Sequence, residues 1–239
     1  MFPEEVYGRA PMSIAAADRV PERLPRGRHG LPRRFIVHNQ RERMLLAVAE
    51  AVAEQGYATT TVADIIARAR LSRRTFYEHF ADKEECYLAA YDTVVEQLLT
   101  AVGQAYEQAD GWTQQVHDGL ETFLAYLAAE PAFARMCIVE VVAAGPEARS
   151  RRDAAMRVFV DFLEPGRAEG PKGVAAPALA SEIVVGGIYE IIYSRLQRDA
   201  ANELVEMLPE LLRCALIPYI GHSAAERAVR QARARAGAA

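Results

Sequence analysis

Lysine is nearly absent from this chain. It occurs only at positions 83 and 172 of 239 residues, so almost all positive charge is arginine. Cysteine is scarce too: Cys86, Cys137 and Cys214 are far apart and odd in number. Without a Cys-x-x-Cys pair there is neither a zinc ribbon nor a disulfide framework, and free thiols fit a reducing compartment. No apolar run reaches the roughly 18–20 residues of a membrane span. The longest candidate, Ile183–Tyr193, is broken by Gly186, Gly187 and Glu190. The N-terminus carries Glu4 and Glu5 and lacks the apolar stretch of a signal peptide. These absences predict a cytoplasmic protein that does not contact membrane. The five histidines, at 29, 38, 79, 117 and 222, form no metal-ligand spacing. The chain also lacks His-Glu-x-x-His, Gly-x-Ser-x-Gly and the P-loop order. No catalysis, metal or cofactor is expected.

What is present is unevenly distributed. The chain as a whole has a formal charge of −4. Residues 23–83 hold 12 basic and 6 acidic side chains, whereas residues 84–222 hold 10 basic and 21 acidic ones. A basic segment joined to an acidic body predicts two modules with different partners. Residues 1–38 are rich in Pro, Gly and Arg without an apolar period, and predict a flexible arm. From about Gln40 the apolar period is helical, and no stretch alternates like a half-buried strand. The predicted fold is all-α: an arm over 1–38, a helix-turn-helix unit over 39–83, a helical body over 84–222 and a basic tail over 223–239.

The first helix is expected over about 39–55, with Leu45, Val48, Ala49, Val52 and Ala53 on one face and Gly56 ending it. Thr61 caps a short helix over about 62–69, with Asp64 at capping-box spacing. A turn at Arg70-Leu71 leads to Ser72, which caps a third helix over about 73–79. Asp82 caps a long fourth one, reaching about Ala105. Further helices are expected over about 112–129, 131–143, 146–163, 178–197 and 202–219, with Pro209 kinking the last. Residues 164–177 read as a loop, and the tail as a frayed helix.

Residues 61–80, TVADIIARARLSRRTFYEHF, therefore form a helix-turn-helix. The second of its helices has two apolar anchors, Phe76 and Phe80, and an outer face of Arg73, Arg74, Thr75, Tyr77, Glu78 and His79. A helix held by one edge with a basic, hydroxylated outer face suits the DNA major groove. Arg73 and Arg74 lie in its first turn, where guanidinium groups meet base edges.

The stretch from about Arg41 to Tyr91 resembles the DNA-binding region of the TetR family of bacterial transcriptional regulators. The matching residues are Gly56-Tyr57, then Thr61, Val62 and Ile65, then Thr-Phe-Tyr-x-His-Phe at Thr75–Phe80, then Lys83-Glu84. The family's Ala-Gly-Val-Ser turn is here Ala69-Arg70-Leu71-Ser72, so Arg70 either keeps a positive φ or sits in a remodelled turn and reaches a phosphate. Ile66 stands where a small residue is usual. The resemblance implies phosphate contacts for Tyr77 and His79, a place beside the DNA backbone for Lys83, and base-edge positions for Arg73, Arg74 and Thr75. Thr61, Ser72 and Arg70 complete that DNA-facing set. In the arm, Pro25-Arg26-Gly27-Arg28 resembles the core of an AT-hook, which places Arg26 and Arg28 in a minor groove.

The resemblance further implies a homodimer on a palindromic double-stranded operator, paired through the last two long helices. Ile183, Gly186, Gly187, Leu204, Leu208 and Leu211 are the expected interface, since two mid-helix glycines suit close approach of another helix. It also implies a pocket for a small-molecule effector among the middle helices, with Trp112, Phe123, Tyr126, Met136, Glu140, Phe159 and Phe162 as candidates. Glu140, inside an apolar run, would meet a cationic ligand or face solvent. The implied mechanism is a repressor released when ligand tilts the fourth helix. The alternative is a helical ligand-binding or interaction protein without DNA-binding activity.

Overall fold

The computed structural model describes residues 33–170 and 175–236, and every regular element among them is helical. Helix α1 (Arg33–Gln55) begins six residues earlier than the sequence pattern predicts. Its first turns bury little, with Phe35 and Val37 exposed, so no apolar period marks them. Helices α2 (Val62–Ala69) and α3 (Arg73–Tyr77) follow. Leu45, Val48, Ala49 and Val52 of α1 close on Ile65, Ala69, Phe76 and Phe80 to make the core of this unit.

Helix α4 (Lys83–Gln108) runs from this unit into the body, and α5 (Trp112–Ala129) packs along it. The predicted helix over 131–143 is not a single α-helix. A four-residue α6 (Pro131–Ala134) leads into a π-helical turn, Arg135–Val139, and a 3-10 turn, Glu140–Val142. This segment is bent 104° from α5. Side chains support its irregular backbone. The Tyr87 hydroxyl donates to the Met136 carbonyl at 2.8 Å, and the Tyr189 hydroxyl donates to that of Ile138 at 2.8 Å. Such outside partners satisfy carbonyls of a stretch whose helical ladder is altered.

Helix α7 (Pro146–Leu163) continues into a 3-10 turn, Glu164–Ala168, where a loop was expected. Helix α8 (Ala180–Gln197) is followed by two 3-10 turns, Ala201–Glu203 and Val205–Met207, and by α9 (Leu208–Ile220). Pro209 therefore does not kink a helix. It sits in the first turn of α9, where its missing N–H has no partner to lose. The tail forms a full helix, α10 (His222–Ala236), with Ala225, Val229 and Ala232 buried in the body.

Two apolar clusters hold the molecule together. One runs without a break from Val48 and Phe76 through Tyr87 and Tyr91 to Met136, Ile192 and Leu211. The other joins Trp112, Val184, Leu216, Tyr219 and Val229 at the far end of the body. The helix-turn-helix unit thus shares its core with the upper body. No single helix among the described residues is long and apolar enough to cross a membrane.

Candidate functional site

The presentation of α3 is fixed by its caps. Thr61 caps α2 in a complete capping box: its hydroxyl accepts from the Asp64 N–H, and the Asp64 carboxylate accepts from the Thr61 N–H at 2.8 Å. These bonds hold the Asp64 carboxyl below its ordinary range. Arg70 ends α2 in the left-handed region, at φ 51 and ψ 45, which settles the choice posed by the sequence in favour of a kept turn. A side chain there costs on the order of 1 kcal/mol relative to glycine. The Arg43 guanidinium donates to the carbonyls of Ala69 and Arg70 and braces that turn. Ser72 then caps α3, accepting from the Thr75 N–H at 3.0 Å, and its hydroxyl lies 2.8 Å from that of Thr75.

Phe76 and Phe80 are buried, and the rest of the α3 face points outward. Arg73, Arg74 and Tyr77 are exposed. Arg73 lies over the Tyr77 ring at 5.6 Å, and Arg74 pairs with Glu78 at 3.0 Å. Exposed pairs of this kind are weak and readily exchanged for phosphate or base contacts. His79 is half-buried, with Nε2 3.3 Å from the Gln40 side-chain oxygen. Burial, then the neighbouring Arg41 charge, push its pKa below the ordinary 6.5. Thr61, Arg70, Ser72, Arg73, Arg74, Thr75, Tyr77 and His79 thus gather in one unit. Lys83 differs from expectation: its Nζ donates to the Tyr57 carbonyl at 2.8 Å and lies 4.1 Å from the centre of that ring. It clamps the α1–α2 turn. Arg26 and Arg28 lie outside the described residues.

The body encloses a cavity of about 130 Å³. Its walls come from α4, α5, α6, the π-helical turn, α7, α8 and α9, and almost all of them are apolar. Phe123, Tyr126, Phe159 and Phe162 line it, as expected. Three other candidates do not. Met136 is fully buried in the core beside the cavity. Trp112 packs at the far end against Tyr219, ring centres 5.0 Å apart, over Gly166. Glu140 neither meets a ligand nor simply faces solvent: its carboxylate accepts from the backbone N–H of Tyr57 at 2.9 Å.

This Glu140 contact joins the two modules. Gly56, at φ +83, packs against the same carboxylate. The Tyr57 ring meets Tyr87 edge-on at 4.9 Å, and Tyr87 holds the Met136 carbonyl. Cys137 and Ile138 of the π-helical turn face the cavity. One seven-residue stretch, 134–140, therefore touches the cavity at one side and the DNA-binding unit at the other. Its role escapes the sequence because Glu140 is two residues from the lining and its partner is a backbone N–H 83 residues away. The α4 lining residues Tyr91, Val94, Leu98 and Val102 were also missed. Their signal is an apolar stripe at i, i+3/i+4 spacing along a 26-residue helix.

The expected interface divides in two. Ile183 is 67% exposed, and Gly186 and Gly187 are exposed with nothing within 4 Å of a Cβ built on either. Leu204 and Leu211 are buried in the protomer's own core, so they offer nothing to a partner, and Leu208 is half-buried against that core. His117, Asp118 and Glu121 on α5 place ligand atoms within 4.8 Å of one another. Among the described residues this is the one such grouping, and the His117 Nδ1 is already 2.7 Å from Asp118.

Two capped helices set around a braced turn, with a basic outer face on the second, define a helix-turn-helix DNA-binding unit. Residues 45–90 match the profile described as bacterial regulatory proteins, tetR family. The match lies on the helix-turn-helix unit, and there the chain is similar to the tetR family. The HTH-type transcriptional activator FasR of Mycolicibacterium smegmatis is 29% identical over 111 residues, covering 46% of this chain and 51% of FasR. The aligned segment thus spans about half of that protein's length. The fold is shared with the fatty acid degradation regulator FadR of Bacillus halodurans, at a TM-score of 0.66 and 16% identity, covering 74% of this chain and 94% of that one. FadR of Bacillus subtilis in complex with stearoyl-CoA aligns at a TM-score of 0.63 and 17% identity, covering 73% and 96%.

Proposed function

We propose that the protein is a dimeric, sequence-specific transcriptional regulator whose hold on its operator is released by a long-chain acyl ligand. The observation that carries this reading is the shared stretch 134–140, which forms cavity wall on one side and holds Tyr57 of the DNA-binding unit on the other. Ligand filling the cavity presses on Cys137 and Ile138. A π-helical turn is a rare, adaptable geometry, and its adjustment moves Glu140 and with it the α1–α2 turn. The fourth helix, lined by the same cavity, carries the rest of the displacement. By linkage, a ligand that weakens DNA binding is itself weakened by DNA to the same degree.

The cavity's shape supports a chain rather than a ring system. Its lining runs along α4 from Tyr91 to Tyr106, about 22 Å at helical rise. Spread over that length, the volume leaves a bore about 5–6 Å wide once the radius of a water-sized sphere is added. That is the width of a single polymethylene chain. The stearoyl-CoA held by the Bacillus subtilis neighbour has a chain of this kind.

The second copy would seat on the open face of α8. Leu179, Ile183, Gly186, Gly187 and Ile191 are exposed there at helical spacing. Two such protomers present two α3 helices to successive major grooves of a palindrome. The name of FasR favours one variant reading, in which the ligand-bound state activates transcription.

The test is a selection of random duplex DNA at two salt concentrations, followed by titration of the selected site with hexadecanoyl-CoA. A two-fold-symmetric motif is expected, with a log–log salt slope near −7 for about eight neutralised phosphates. Loss of binding on adding the ligand supports the repressor reading, and a gain supports the activator one. A failure to bind any duplex at low salt overturns both and leaves a helical ligand-binding protein.

A further inference from the structure

The cavity has two unlike ends. At the far end it is closed by Tyr106, Val116, Phe162, Leu163 and Ala215. The Tyr106 hydroxyl there is spent on the Phe162 carbonyl at 3.0 Å, and the nearby Gln115 amide carries no charge. The middle is the Phe123–Phe159 pair, ring centres 4.9 Å apart. At the other end, beside the π-helical turn, Tyr91, Cys137, Tyr189 and Arg152 come together.

Among the described residues Arg152 is the one charged side chain in the wall. Its guanidinium lies 5.8 Å from the Tyr189 ring centre, and the side chain is 28% exposed, so it stands between cavity and solvent. Its carboxylate partner is its sequence neighbour Asp153, at 2.6 Å and half-exposed. A pair at the surface contributes little and leaves the guanidinium's forked donors available to a better placed anion.

We propose that Arg152 sets the polarity of the ligand: an anionic head binds at the Arg152–Tyr189 end and the hydrocarbon tail runs toward Trp112. This deepens the acyl-chain reading and rests on it. A neutral amphiphile of equal length gains the same apolar burial but nothing from the guanidinium. The protein therefore distinguishes a chain ending in an acid from one ending in an alcohol. The head also lies against Tyr189, whose hydroxyl holds the Ile138 carbonyl. The head group consequently acts on the π-helical turn more directly than the tail does.

The experiment compares hexadecanoic acid, hexadecan-1-ol and hexadecanoyl-CoA on the delipidated full chain. Binding is read by calorimetry and by the fluorescence of Trp112, the only tryptophan. The parent protein should bind the acid at least about ten-fold more tightly than the alcohol, as expected for a charge-assisted contact. R152Q should bring the two within about two-fold by weakening the acid alone, and R152K should keep most of the preference. If R152Q also weakens the CoA ester, the recognised anion includes that head group; if it leaves the ester unchanged, the anion is the free carboxylate. Equal affinity for acid and alcohol in the parent overturns the proposal, as does a preference that survives in R152Q. If none of the three compounds binds, the acyl-chain reading itself fails. R152K guards against misfolding, since a variant that keeps the charge and the preference shows that the site tolerates substitution.

Discussion

The helix-turn-helix unit and the cavity are built on opposite plans. The unit fixes its backbone with local devices, the Thr61–Asp64 box, the Ser72 cap and the Arg43 brace, and leaves its working side chains outside. The cavity has few local devices. Its wall is assembled from seven segments spread over Tyr91 to Ala215, and its most important backbone, the π-helical turn, is held by hydroxyls from α4 and α8. The first plan suits a surface that must present one shape to a rigid partner. The second suits a wall that must yield. Glu140 lies where the two plans meet.

Each side of this contrast can be broken separately. The largest effect is expected from R73A/R74A, which should lower operator affinity by 100-fold or more, since each bidentate base contact contributes about 1–3 kcal/mol. Ligand binding should be unchanged; parent-like DNA affinity would show that α3 does not read the site. G166A comes next. A Cβ there would overlap the Trp112 ring, which is hemmed in by Tyr219. Overpacking should cost about 1–3 kcal/mol, read as a lower melting temperature with DNA contacts untouched.

E140A removes the joint itself. Loss of a hydrogen bond to a carboxylate costs about 1.5–3 kcal/mol where it is dry and less here, at a part-buried site. The distinctive outcome is in coupling: ligand should still bind but should change operator affinity much less than in the parent. An undiminished response would place the coupling elsewhere, in α4 alone. R70G should stabilise by about 1 kcal/mol or less by relieving the left-handed conformation, raising the melting temperature by about 2–4 °C.

The smallest effect is at His79. Its folded pKa is lowered from 6.5. Below that value the unfolded chain takes up a proton that the folded chain resists, so stability falls as pH drops through and below 6.5. H79Q should remove this component, visible as a flatter melting temperature between pH 7 and pH 5.5 than in the parent.

The same contrast explains what could be read from the sequence. The starts of α2, α3 and α4 are written in short-range signals, Thr61 with Asp64, Ser72, and Asp82 with Glu85, and the structure has them where those signals lie. In the body the helices at 112–129 and 146–163 followed from their punctuating Gly and Pro. The break at 135–142 did not, because its causes are the hydroxyls of Tyr87 and Tyr189, remote in sequence. For the cavity, aromatic character alone picked out Phe123, Tyr126, Phe159 and Phe162 but could not separate them from Met136 and Trp112. All six are apolar residues at helical spacing, and only the packing decides which of them borders empty space. Arg152 was hidden for the opposite reason: it is one of several arginines in the run 149–157, and nothing local marks it as the one that turns inward.

The unbroken core between the two modules limits how this protein can be re-engineered. Cys86, Tyr87 and Ala90 of α4 belong to the same buried cluster as Val48 and Phe76. A reader unit cut after Lys83 would bare that surface to water, so residues 33–83 are not a portable cassette. A chimera that borrows this DNA specificity needs the first turns of α4 and a carboxylate at the position of Glu140. One that borrows the sensor must bring a turn equivalent to Gly56-Tyr57 for that carboxylate to grip.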